Sequence, residues 1–116
     1  MKQTLQEFLD RELPLPGLAA CSVRLADRTF VTRCYGDWFT SAQVEQVLNR
    51  LALAADSLGY HGIQPTRLGW VFEHSRIHIA LRRDGACLGL FVENRPGVTT
   101  PKLEGLLEEF TRLAES

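Results

Sequence analysis

Histidines, cysteines and glycine-rich loops are the features of a sequence that most often support catalysis, metal binding or nucleotide binding. Here His61, His74 and His78 form no HExxH motif, and they combine with the cysteines in no zinc-binding spacing. The nine glycines form neither a GxGxxG motif nor a Walker motif. A hydrolase would also need a nucleophile beside a base, and the sequence suggests no such pair. We therefore predict a protein that is not an enzyme and that binds no metal and no cofactor.

The three cysteines, Cys21, Cys34 and Cys87, have spacings that match no redox motif. A tight turn at Asp27-Arg28 would join two strands and place Cys21 opposite Cys34. This pairing allows two interpretations, a redox pair or two thiols packed in a core. Because thiols in a reducing compartment usually behave as small buried hydrophobic residues, we expect all three cysteines to be free and buried.

The charge pattern argues against several classes of partner. Thirteen Lys and Arg residues against fourteen Asp and Glu give a net charge of −1, without a run of like charge that would suit nucleic acid or a membrane. Arg67, Arg76, Arg82 and Arg83 could form an anion patch, although arginines at strand ends more often keep a sheet edge soluble. The N-terminal segment MKQTLQEFLDRELP resembles neither a signal peptide nor a membrane span. We expect a cytoplasmic protein with one domain over residues 1–116.

The stretch from Arg67 to Val92 predicts three antiparallel strands in a meander. Asp84-Gly85 suits a two-residue type I′ turn, because both central residues of that turn need positive φ. This turn would pair Leu81 with Leu88 and place six aliphatic side chains on one face of the sheet: Ile77, Ile79, Leu81, Leu88, Leu90 and Val92. A second two-residue turn at His74-Ser75 would place Trp70 opposite Ile79 and Phe72 opposite Ile77, on the same face. The opposite face would then carry a shallow trough of small residues: Gly69, Ala80 and Gly89.

The segment from Phe39 to Gly59 predicts the longest helix. Thr40 is a candidate N-cap with Gln43 three residues later, and Gly59 suits the C′ position. Most apolar residues of the segment share one arc of the helix: Val44, Val47, Leu48, Leu51, Ala54, Ala55 and Leu58. Leu53 points away from this arc, as Tyr60 would if the helix continued. Such an exposed leucine is either an isolated surface residue or part of a partner surface.

The lengths of these elements predict how they are arranged. A helix of about 30 Å can cross five strands that together span about 20 Å, so the strands before and after it are expected at opposite edges. Apolar residues of the first and last helices would cover the aliphatic face; those of the last are Leu103, Leu106, Leu107, Phe110 and Leu113. The prediction is an α+β fold, α-β-β-α-β-β-β-α, with a five-stranded antiparallel sheet in order 2-1-5-4-3. The long middle helix covers one face, seated on the trough, and the two terminal helices cover the other.

This order of elements resembles the roadblock family, the dynein light chain and GTPase-regulator domains of profilin-like architecture. The resemblance spans nearly the whole chain and rests on PGLAACSVRL, TSAQVEQVLNRLALAADSLG and DGACLGLFVENRPG. One departure is the first hairpin turn, Ala26-Asp27-Arg28-Thr29, which lacks the glycine often found there in the family. The resemblance implies a cytosolic protein-interaction domain that forms dimers, and its bacterial members regulate or scaffold small Ras-like GTPases.

We therefore expect a homodimer that binds and regulates or scaffolds a small Ras-like GTPase. The third strand, at a sheet edge, would pair with its own copy and bring two long helices side by side. The predicted interface residues are Arg50, Leu53, Ser57, Tyr60, Leu68, Trp70, Val71 and Phe72. Two alternatives are a light-chain-like adaptor without a GTPase partner and a secretion-type chaperone. The chaperone family usually places three strands before its middle helix and two after it, whereas this sequence predicts two and three.

Overall fold

The computed structural model describes residues 2–13, 17–35, 37, 39–63, 66–73, 75–82, 84–93 and 100–112. Its elements are α1 (Lys2–Glu12), β1 (Leu18–Arg24), β2 (Phe30–Cys34), α2 (Ser41–Tyr60), β3 (Arg67–Val71), β4 (Ser75–Leu81), β5 (Cys87–Glu93) and α3 (Thr100–Arg112). The five strands form one antiparallel sheet in the order β2-β1-β5-β4-β3. The predicted fold class and strand order are confirmed.

The sheet separates two hydrophobic cores. On one face, α1 and α3 pack against alternate residues of the strands, among them Cys21, Val23, Ala80, Leu88 and Leu90. On the other face, α2 packs against Ala20, Ile77, Ile79, Cys87 and Phe91. Two covered faces explain why β1 and β5 are apolar along almost their whole length. The predicted division of the three helices between the faces is confirmed; Leu113 lies outside the described residues.

Both ends of α2 are defined by hydrogen bonds. The Gln43 amide donates to Thr40 Oγ1 at 3.1 Å and the Thr40 amide donates to Gln43 Oε1 at 3.0 Å, so the predicted capping box is confirmed. At the other end, Gly62 has a φ of +80°. Its amide donates to the Gly59 carbonyl, and the Ile63 amide donates to the Leu58 carbonyl, which is the Schellman pattern. The predicted C′ position at Gly59 is therefore wrong by three residues.

The turn between β4 and β5 contains three residues rather than two. The Arg82 amide donates to the Ala86 carbonyl at 2.9 Å, and the Gly85 amide donates to the Arg82 carbonyl at 3.1 Å. Gly85 has a φ of +94°, as expected for the last residue of a type I turn with a G1 bulge. The additional residue pairs Leu81 with Cys87 instead of Leu88. The predicted register is wrong by one residue.

This shift moves half of the predicted aliphatic face to the other side of the sheet. Leu88, Leu90 and Val92 face the terminal helices as predicted, whereas Ile77, Ile79 and Leu81 face α2. The small-residue trough is also wrong. Gly69 and Ala80 share the terminal-helix side, while Gly89 lies beneath α2, where a Cβ would come within 2.9 Å of Leu48 Cδ1.

The turn between β1 and β2 has the same geometry, with Arg28 at φ +70° in the position that Gly85 occupies in the other turn. Cys21 is consequently opposite Arg33, and Cys34 is opposite Ala20. The two thiols lie on opposite faces of the sheet, so the predicted pairing is wrong. All three cysteines are free, but Cys34 is half-buried, unlike Cys21 and Cys87, so burial was correctly predicted for two of them.

The connection between β3 and β4 closes where the Phe72 amide donates to the Ser75 carbonyl at 2.8 Å. The connecting residues are Glu73 and His74, of which His74 lies outside the described residues. Trp70 pairs with Ile77 rather than Ile79, so the predicted register is wrong by two residues. Because the error is an even number, Trp70 and Ile77 still share a face, which is the α2 side of the sheet.

A partly buried polar contact orients α2 over the sheet. The Thr32 hydroxyl on β2 donates to Glu45 Oε2 at 2.7 Å and lies 2.8 Å from the buried hydroxyl of Ser22 on β1. The backbone of α2 packs mainly against these two strands. The flank of α2 that carries Glu45 therefore faces β2, and the opposite flank faces β4 and β3.

Candidate protein-interaction surface

Strand β3 forms one edge of the sheet and directs alternate backbone groups into solvent. The Phe72 amide and the Leu81 amide, which donates to the Thr66 carbonyl, fix the two ends of the ladder between β3 and β4. Bonded and non-bonded pairs alternate in an antiparallel ladder. The amides and carbonyls of residues 67, 69 and 71 therefore point away from the sheet and are available to another strand.

The side chains of this edge are largely apolar. Leu68 and Trp70 are half-buried on the α2 side, and Phe72 beyond them is 48% exposed. Val71 lies on the other side and is 75% exposed. The structure thus brings together the four predicted interface residues of this segment. An edge strand with exposed apolar side chains and open backbone groups is prone to pair with another chain.

The four predicted residues on α2, Arg50, Leu53, Ser57 and Tyr60, form one exposed stripe along the helix. Leu53 is 49% exposed and Tyr60 is 90% exposed. At 100° per residue, both point away from the sheet and lean towards the flank of Glu45, which faces β2. The stripe and the β3 residues therefore do not form one continuous surface. The stripe leans towards the flank of α2 that faces β2, whereas β3 lies on the side of the opposite flank.

A second group of α2 residues lies on the flank towards β4 and β3, and we did not predict it as interface. These residues are Val47, Leu51, Ala54 and Leu58; Ala54 is exposed and the others are half-buried. The helical periodicity placed them in the apolar arc, so they were assigned to the core. These residues can be recognised as a surface only when the position of α2 over β1 and β2 is known. Ile63, just after α2, is also exposed and was not predicted.

Burial shifts the pKa values of several titratable groups among the described residues. Burial raises the pKa of the Cys21 thiol to about 12 and that of the Cys87 thiol to about 11, which disfavours the reactive thiolate. Burial, assisted by Arg76, lowers the pKa of His78 below its usual value. No cluster of three or more His, Cys, Asp or Glu side chains suited to a metal occurs within the described ranges. In the same residues, no helix is both long and apolar enough to span a membrane.

Comparison with solved structures identifies the fold. Myxococcus xanthus MglB is similar with a TM-score of 0.70 and 8% sequence identity, over 94% of this chain and 93% of that protein. A structure of MglB with a tetrameric arrangement has a TM-score of 0.68 and 14% identity, over 97% and 89%. A Roadblock/LC7 domain from Streptomyces avermitilis has a TM-score of 0.58 and 11% identity, over 92% and 91%. No protein-family model and no curated protein matches the chain. The chain has the roadblock fold, and the predicted resemblance is confirmed at that level.

Proposed function

We propose that the chain is a non-catalytic protein-interaction domain that forms a homodimer and, as a dimer, binds and regulates or scaffolds a small Ras-like GTPase. The observation that carries this proposal is the open edge of β3. Its outward backbone groups lie beside the exposed side chains of Val71 and Phe72. We further propose that it acts as a single domain in the bacterial cytoplasm, as the resemblance to the roadblock family implies.

In the proposed dimer, β3 pairs antiparallel with β3 of a second copy around a two-fold axis. The two sheets then join into one of ten strands, which removes the open edge. The flank of α2 that faces β3 would meet the same flank of the second copy. Val47, Leu51, Ala54 and Leu58 would supply its apolar contacts. The tetrameric arrangement of MglB, a protein with the same fold, supports self-association.

The outer stripe of α2 is left for a different partner. In such a dimer Leu53 and Tyr60 stay exposed, because they lie on the far side of the helix from β3. We assign these two residues, with Arg50 and Ser57, to the GTPase-binding surface. The partner class itself comes from the family resemblance.

The order of strands separates this proposal from one of its alternatives. Two strands precede the middle helix and three follow it, whereas secretion-type chaperones usually have three and two. A light-chain-like adaptor has the same fold and dimer as the proposed regulator. It differs in having no GTPase partner, so binding experiments must decide between them.

Three variants test the dimer. Val71→Pro removes an outward amide without touching the ladder to β4, so sedimentation should show a monomer that remains folded. Ala54→Asp and Leu53→Asp introduce the same charge at adjacent positions on different flanks. Ala54→Asp should dissociate the dimer, and Leu53→Asp should leave it intact. A wild-type monomer at micromolar concentration, or a dimer weakened by Leu53→Asp and not by Ala54→Asp, would contradict this arrangement.

The GTPase assignment needs a second experiment. A Ras-like GTPase encoded beside this chain should bind the wild-type dimer in calorimetry, and Leu53→Asp should weaken that binding at least about tenfold, as expected for a central apolar contact. Ala54→Asp, which should dissociate the dimer, tests whether GTPase binding requires the dimer. A stable dimer that binds no such GTPase would leave the adaptor as the better interpretation.

A further inference from the structure

A cleft of about 470 Å³ lies between the C-terminal half of α2 and the ends of β1, β4 and β5. Arg24, Arg82 and Cys87 line it from the sheet, and Asp56 and Tyr60 line it from the helix. Small residues of α2 form part of its wall, which leaves space for a side chain of moderate size. None of its lining residues belongs to β3, so the cleft is separate from the proposed dimer edge.

Arg24 is an unusual residue for such a position. Its side chain extends from the last residue of β1, is 7% exposed, and has a buried Nε without a hydrogen-bond partner in the described part of the chain. Within the same part, no carboxylate forms an ion pair with it. A buried guanidinium charge without a partner is costly. Arg24 thus provides an unsatisfied donor and a positive charge at the cleft.

Arg82 also lines the cleft, but its guanidinium is turned towards the face of the sheet that α3 covers and is already satisfied. Arg82 Nη2 donates to Asp84 Oδ2 at 2.9 Å, and its guanidinium lies 5.3 Å from the centre of the Phe110 ring. Asp56, in contrast, is exposed and forms no ion pair with Arg24. Its negative charge disfavours a doubly charged phosphate more than a singly charged carboxylate. A carboxylate can also accept two parallel hydrogen bonds from one guanidinium.

We propose that this cleft binds the carboxylate of an acidic side chain, Asp or Glu, that a protein partner inserts beside Arg24. The largely buried guanidinium supplies the charge and the donors, and its burial strengthens the contact. The exposed ring of Tyr60 at the cleft connects this site to the outer stripe of α2. Arg24 defines this site, and the site does not require the partner to be a GTPase.

Nuclear magnetic resonance can test the site in the intact protein, because the Nε–H group of a buried arginine gives its own signal. N-acetylglutamate N-methylamide should shift the Arg24 Nε–H signal and the amides of Gly59 and Gly85 in a saturable manner. The neutral glutamine analogue should leave these signals in place. No shift with the glutamate probe, or a saturable shift with inorganic phosphate and none with glutamate, would overturn the proposal.

Two variants separate binding from stability. Arg24→Met replaces an unpaired charge with an apolar side chain of similar length, so the melting temperature should stay equal or rise while the probe no longer shifts the two glycine amides. Asp56→Asn removes the competing negative charge and should tighten probe binding about two- to fivefold. Arg112→Met, on the surface of α3, should change neither. Asp56→Asn uses an exposed position and therefore tests the site even if Arg24→Met does not fold; unchanged or weaker binding by Asp56→Asn would contradict the proposal.

Discussion

Arg28 is the only described non-glycine residue with a positive φ, at +70°. It ends the turn between β1 and β2 in the same way that Gly85 ends the turn between β4 and β5. In both turns the preceding aspartate accepts a hydrogen bond from the amide that follows, at Thr29 and at Ala86. The aspartates hold the turns in shape, and this support allows an arginine where glycine would be free of strain.

We predict that Arg28→Gly stabilises the protein by about 0.5–1 kcal/mol. The left-handed conformation costs a residue with a Cβ about 1–2 kcal/mol, and the greater freedom of glycine in the unfolded chain offsets part of the gain. Urea unfolding would measure the difference. Ala26→Gly in the same turn is the control and should destabilise, because position 26 has no positive φ to relieve. Equal effects of the two variants would show that Arg28 is not strained.

The thiols should react in a fixed order. Cys34 is half-buried, whereas Cys21 and Cys87 are buried and have pKa values raised to about 12 and about 11. At pH 8 only about one in a thousand Cys87 thiols, and fewer Cys21 thiols, are ionised. We predict that a disulfide reagent labels Cys34 first, and that Cys21 and Cys87 react at the rate of protein opening. Mass spectrometry of the labelled peptides decides the order, and rapid labelling of Cys21 in the native protein would contradict it.

At the scale of the elements, the predictions that depended on the N-cap of α2 and on element lengths were right, whereas the C′ position at Gly59 and the strand registers were wrong. The Thr40 capping box was predictable because its signal is local, and the order of the five strands was predictable because the long helix can cross the whole sheet. The registers were not, since β5 is buried on both faces and a shift by one residue replaces apolar side chains with apolar side chains. Asp84-Gly85 is compatible with a two-residue or a three-residue turn, because both place glycine at positive φ.

Gly89 determines how closely α2 approaches the sheet. A Cβ at this position would meet Leu48 Cδ1 at 2.9 Å, so Gly89→Ala should destabilise the protein by about 1–3 kcal/mol. Thermal and urea unfolding would measure this loss. Gly69→Ala is a matched control on β3, where the nearest atoms would be 3.9 Å away, and it should be neutral or slightly stabilising.

A double variant links the effect of Gly89→Ala to the contact beneath α2. Leu48→Ala removes the obstructing side chain, so the double variant should lose less stability than the sum of the two single variants. Simple additivity would mean that the clash with Leu48 is not the cause.

At the scale of the whole molecule, the sequence predicted the edge position of β3 and the exposed residues of α2, but it could not predict how these two groups face one another. Helical periodicity separates inward from outward residues, so Leu53 and Tyr60 were correctly predicted to be exposed. It does not tell which flank faces β2 and which faces β3. That depends on the Thr32–Glu45 hydrogen bond, which joins elements distant in sequence. The cleft at Arg24 was not predicted for the same reason, since its walls come from four separate elements.

Hydrogen exchange can test the assembly of the whole molecule at the level of single amides. In a monomer, the amides of residues 67, 69 and 71 point away from the sheet and should exchange rapidly, whereas those of residues 68 and 70 are bonded to β4 and should be protected. Pairing of β3 with a second copy would protect Gly69 and Val71 as well. We therefore predict a concentration-dependent change from alternating to continuous protection along β3, because association follows mass action.

The Val71→Pro variant supplies the control for this experiment, since it should keep Gly69 unprotected at every concentration while Leu68 and Trp70 remain protected. A dimer formed by helices alone would also become visible. In that case sedimentation would show association while the alternating pattern on β3 persisted, and the open edge would have to be covered by something other than its own copy. Protection of Gly69 in wild type and its loss in Val71→Pro would instead establish that the edge strand itself builds the dimer.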